Sequence, residues 1–143
     1  MRSILGAAID EEADVTLVDM EAGLEHLSRS GGTLAYADVL LVVMEPSRKS
    51  ILTAGRTIVL ADELGLTRVY GVGNKARLPD DAEFFTTVAA EYNVPIAGII
   101  PDDADVVEAD RSGIPLPPGR GGPVRHAIAD VVDFVDRALV EAG

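Results

Sequence analysis

Four short runs of β-branched residues and leucine punctuate this chain: Val15 to Val18, Val39 to Val43, Val69 to Val72 and Ile96 to Ile100. Their apolar character is nearly continuous instead of alternating, which marks strands covered on both faces. Helical patterns fill the intervals. Ile51, Ala54, Ile58, Ala61 and Leu64 recur at helical spacing before Gly65, a natural stop. Phe85, Val88, Ala89 and Tyr92 form a second stripe after the start signals Asp80 and Asp81. Val124, Ile128, Val131, Val135 and Leu139 give a last helix one apolar face. The loop PLPPGRGGP before it is too rich in proline and glycine for regular structure. A shorter helix is predicted over Ser3 to Glu11. Strand and helix therefore alternate, which predicts right-handed crossovers and an α/β fold: a three-layer sandwich around a mainly parallel sheet.

The 143 residues suit a single domain, 1–143, that buries roughly 70% of its unfolded surface. With no cysteine, neither a disulfide framework nor a thiolate metal site can come from this chain, and a cytoplasmic location is predicted. Apolar runs such as Val39 to Met44 fall well short of the ~18 residues of a membrane span, and Asp10 interrupts Arg2 to Ile9 before it resembles a signal peptide. The sequence thus predicts a soluble protein with no membrane partner. A formal net charge of −12 repels a phosphate backbone, so no nucleic-acid partner is expected. Basic spots at Arg48 and Lys49, or at Arg120 and Arg125, read as solvated surface charge.

In parallel α/β sheets ligands bind beyond the carboxyl ends of the strands. That rule selects the loops Asp19 to Thr33, Glu45 to Ser50, Gly73 to Pro79 and Pro101 to Pro118. Asp19 closes the run VTLVD, where a carboxylate can hold a magnesium-bound water, orient an attacking water, or cap a turn. Ala22 and Gly23 follow, small enough to let backbone amides approach a phosphate. Asn74 offers both a donor and an acceptor to a nucleobase edge, or is a turn residue after a strand. Lys75 could lay its stem against a purine face or stay solvated. GVGNK lacks the length of a phosphate loop, and GRGGPVR is either an anion site at a helix start or a linker.

Taken in order, DMEAGLEHLSR, ADVLLVVMEPSRKSILTAGR, VYGVGNK and IAGIIPDDADVVEADRSGIP resemble the carbon monoxide dehydrogenase accessory ATPases. These are nickel-insertion proteins of the wider class that holds MinD and the nitrogenase iron protein, and the likeness covers nearly the whole chain. The resemblance implies ATP or ADP and Mg2+ as cofactors. It assigns Asp19 to the magnesium shell, makes Glu21 a catalytic switch residue beside it, and makes Glu25 and His26 switch residues facing a dimer partner. Ala22 and Gly23 become phosphate-side backbone. Asn74 becomes the adenine-reading amide with Lys75 beside it, and the loop from Pro101 through Asp102 to Asp103 closes over base and ribose.

Relative to that family, the chain lacks the phosphate-loop strand, the loop with its lysines, a helix, a second strand and a cysteine pair. It reads as an incomplete P-loop NTPase (Rossmann-like) fold, the C-terminal part of such a domain. Its two lysines, Lys49 and Lys75, lie outside any GxxxxGK[ST] pattern. Transition-state charge then has no counterweight, so this chain alone is expected not to hydrolyse ATP. In the family fold the phosphate-loop strand lies between the strands matching Val15 to Val18 and Val39 to Val43. The two runs are expected to pair directly, or another chain to enter, giving a homo-oligomer or a partner-completed sheet. The sequence therefore predicts a nucleotide-handling fragment of a metallochaperone-type ATPase with a metalloenzyme client. The alternative is a non-enzymatic interaction module that keeps the fold.

Overall fold

The computed structural model describes residues 15–20, 37–77 and 79–140. The predicted helix Ser3 to Glu11 lies outside them. Three parallel strands form one sheet in the order β1 (Leu40–Met44), β2 (Val69–Ala76) and β3 (Ile96–Pro101). Helix α1 (Arg48–Glu63) joins β1 to β2, and α2 (Asp80–Glu91) joins β2 to β3. Helices α3 (Ala104–Ser112) and α4 (Gly122–Val140) follow.

Local signals explain the boundaries. Ser47 in extended backbone caps α1 by accepting from the Ser50 N–H, and Gly65, at φ +86°, ends the turn after it as the sequence predicts. Three acids in the first turn of α2, Asp80, Asp81 and Glu83, favour its N-terminal dipole. Asp81 Oδ2 also accepts from the Arg77 N–H at 2.7 Å.

Side-chain parity places the layers. Leu40, Val42 and Val69 pack toward Ala61 of α1, and Met44 joins Ile51, Phe85 and Val88 in the main core between the sheet and α1 and α2. Tyr70, adjacent to Val69, must point to the other face. There its ring meets Phe134 of α4 edge-on, with centroids 4.9 Å apart. Helices thus lie on both faces, the three-layer α/β arrangement that the apolar runs predict.

The glycines of GVGNK belong to this core. A Cβ at Gly71 would lie 2.6 Å from Met44 Cε and 2.7 Å from Val94 Cγ1, and one at Gly73 only 3.0 Å from the Phe85 ring. Both glycines admit large neighbours against the strand instead of cradling a phosphate.

Two expectations are corrected. Val15 to Val18 is not a buried strand: these residues join no strand of the sheet, and Val15 and Leu17 are 82% and 91% exposed. A β-branched run becomes a strand only when a neighbour satisfies its backbone, and among the described residues β1 pairs only with β2. Only Met20 at the end of that segment reaches the core, beside Ala61, Leu66 and Val69. The segment from Pro101 to Pro118 is not all loop. Asp103 in extended backbone accepts from the Asp105 and Val106 N–H groups and starts α3, which Gly113 ends at φ +64°.

Candidate functional site

The carboxyl ends of the three strands bring several predicted residues together. Strand β2 runs to Ala76, past the predicted start of its loop, so Asn74 and Lys75 lie on the strand itself. The ladder to β3 slips there: Gly73 pairs with Ile99 but Ala76 with Pro101, which leaves one extra residue on β2. This bulge re-aims the side chains between. Lys75 takes φ +56°, a left-handed conformation uncommon without glycine. Its N–H donates to Asn74 Oδ1 at 2.9 Å, so the Asn74 carbonyl is engaged locally.

Across the sheet, Met44 pairs with Gly73, which brings Glu45 to the level of Asn74. The Glu45 N–H donates to Ser50 Oγ at 3.0 Å, and the Lys75 ammonium meets Glu45 Oε1 at 2.6 Å. That hydrogen bond, then the charge of Glu45, raises the Lys75 pKa above its ordinary value, with smaller help from Asp102 and Asp110. The ammonium therefore stays charged through the neutral range. On the other side, the Asp102 N–H donates to the Ala76 carbonyl at 2.9 Å, so Pro101 and Asp102 flank the bulge.

Of the remaining predicted residues, the structure describes Asp19 alone. Asp19 is exposed, and among the described residues it forms no hydrogen bond or ion pair with the others. Glu21, Ala22 and Gly23, with Glu25 and His26, lie outside the described residues. Among the described residues no group of three or more His, Asp or Glu side chains is placed to hold a metal ion, so these residues by themselves do not make a magnesium site. Arg120 and Arg125 are engaged by their own loop. Arg120 bonds Asp105 at 2.7 Å, and Arg125 donates to the carbonyls of Leu116, Pro117 and Arg120. GRGGPVR is therefore an ordered connection whose cations already have partners.

An amide, a cationic stem, a proline ring and a carboxylate meet at one end of the sheet. Such a set can grip a planar, polar ring. It does not make a phosphate cradle, because α2 and α3 open with acids or an aspartate cap that fill their N-terminal fields. Shallow hollows of about 190 and 320 Å3 lie at the opposite end of the sheet, lined by residues such as Leu66 and Thr67, away from this chemistry. In the sequence Glu45 stands out only as the start of a strand-end loop, with no role of its own. Its position just beyond a strand end was a usable signal, but its partner lies thirty residues away.

A parallel sheet covered on both faces, with polar residues at its carboxyl end, defines an open-sheet α/β protein of the kind that binds ligands at that end. No family model matches the chain. It is 33% identical over 114 residues to the carbon monoxide dehydrogenase accessory protein CooC of Rhodospirillum rubrum, covering 80% of this chain and 42% of that protein. Its fold superposes on the cell division ATPase MinD of Pyrococcus furiosus with TM-score 0.68 and 21% identity, over 92% of this chain and 55% of that one. The MinD cell division protein of Aquifex aeolicus gives TM-score 0.60 and 22% identity, over 72% and 45%. The chain is thus similar in sequence to part of CooC, of whose length it spans about two-fifths, and its fold matches part of the P-loop NTPase fold of MinD. No helix among the described residues is long and apolar enough to cross a membrane.

Proposed function

We propose that this chain supplies the base-recognising part of a CooC-like nucleotide site and does not hydrolyse ATP alone. The observation that carries the reading is the bulged Asn74–Lys75 corner, held beside Pro101 and Asp102 at the carboxyl end of the sheet. An ATP or ADP base would lie against Lys75 and Pro101, with the Asn74 amide at its edge and Asp102 toward the ribose. The likeness to CooC, and not the described geometry, assigns Asp19 and Glu21, with Ala22 and Gly23, to the terminal phosphate and its magnesium. A homo-oligomer or a partner chain supplies the phosphate contacts, and the process served is nickel insertion into a metalloenzyme client, a reading in keeping with the likeness to an accessory protein of carbon monoxide dehydrogenase.

Isothermal titration of the chain with ADP tests the base site. Asn74→Ala is expected to weaken binding at least about tenfold, because loss of a positioned polar contact leaves a base edge unpaired. Equal binding by the variant and the wild type overturns the assignment. A second reading, a non-enzymatic interaction module, is favoured by the pairing of β1 on one side only among the described residues and by Val43, 62% exposed on the face away from α1. It predicts no nucleotide binding by the wild type.

A further inference from the structure

We infer that Glu45 is a positioning residue of this site: it holds the Lys75 side chain across the ends of β1 and β2 as a ready platform for a planar base. The inference rests on the nucleotide reading above. It goes beyond that reading by assigning a role to a residue on a different strand.

A lysine side chain carries large rotational freedom, and binding a ligand against a loose stem costs the entropy of fixing it. Here both ends are held before any ligand arrives. The near end is set by the bulge, by φ +56°, and by the donation of the Lys75 N–H to Asn74 Oδ1. The far end is held at 2.6 Å by Glu45, whose own backbone is fixed by Ser50 and by the neighbouring Ser47 cap. Left-handed backbone in a residue other than glycine persists only when its surroundings over-determine it. The pairing of Met44 with Gly73 ensures that the stem crosses from one strand end to the next. Both side chains remain about 60% exposed, so the stem is open to a ligand.

An opposite role is conceivable on the same geometry. If Lys75 were a phosphate ligand, Glu45 would restrain it, and removing the carboxylate would release a cation toward the phosphates. Adenosine and ADP separate the two, since adenosine has a base and no phosphate.

The test is isothermal titration of the full chain and its variants with both ligands. Glu45→Ala is expected to weaken adenosine and ADP alike, about threefold to tenfold, with an unchanged melting temperature. The difference between wild type and Glu45→Ala is expected to shrink as salt is raised toward 1 M, because the pair is exposed. Unchanged adenosine affinity in Glu45→Ala, or tighter ADP binding, overturns the inference. If Asn74→Ala weakens binding while Glu45→Ala does not, the inference fails and the nucleotide reading stands. A wild-type chain that binds neither ligand overturns both.

Discussion

At the scale of single residues, Lys75 shows how stability and binding pull apart. Its left-handed backbone is one that glycine adopts without a Cβ penalty. Lys75→Gly is therefore expected to raise the melting temperature by a few degrees while it weakens adenosine binding, since the stem is lost. Thermal unfolding followed by circular dichroism, beside a titration, checks both halves; a lower melting temperature would show that the lysine is not strained. Asn74 and Lys75 were legible in the sequence because a polar pair directly follows an apolar run. Their conformation was not, because a bulge depends on the partner strand's register. Glu45 was illegible for a similar reason, since its significance arises only when two strand ends pair. Asp19 shows the converse, a position that reads well in sequence and that the described residues leave exposed and apart from the cluster.

At the scale of elements, α3 is the informative case. It has nine residues and buries none of them, so neither length nor packing holds it. Its ends do: Asp103 caps one and Gly113 the other, while Asp105 takes hydrogen bonds from Arg120 and from the Gly121 N–H. Asp103→Ala is expected to cost the helix about 1 kcal/mol. Hydrogen exchange should show that loss as faster exchange over Ala104–Ser112, with the protection of β2 nearly unchanged; equal loss in both would mean that α3 is part of the global folding unit. The aspartate and the glycine that bound α3 were readable in DDADVVEADRSG, but the prolines after them drew the whole segment into a loop. Apolar periodicity found the helices with a buried face, α1, α2 and α4, because burial is what that pattern reports. For the same reason it over-read Val15 to Val18. A run can be apolar enough to be a strand and still not join the sheet.

At the scale of the whole molecule, the described sheet is closed on one side of β1 only. Among the described residues its other edge has no partner, and Val43 on that strand is 62% exposed on the face opposite α1. Open edges recruit further strands, whereas a net charge of −12 opposes self-association at long range. The two effects scale differently with salt. Screening at 0.15 M limits the repulsion to about 8 Å, while backbone pairing and apolar contact are scarcely affected. The chain is therefore expected to sediment as a dimer or larger species at micromolar concentration, more completely as salt rises. Val43→Lys places a charge on the edge, a device that natural sheets use against pairing, and is expected to return the chain to monomer. As a substitution at an exposed position it should change folding stability by no more than about 0.5 kcal/mol, so a monomeric variant with wild-type melting would locate the contact at β1. If the wild type sediments as a monomer at every salt concentration, self-pairing is excluded and completion of the sheet falls to a different chain. If association persists in Val43→Lys, the contact lies elsewhere; the exposed side chains of Ile128 and Val132, one helical turn apart on α4, are then the next surface to charge.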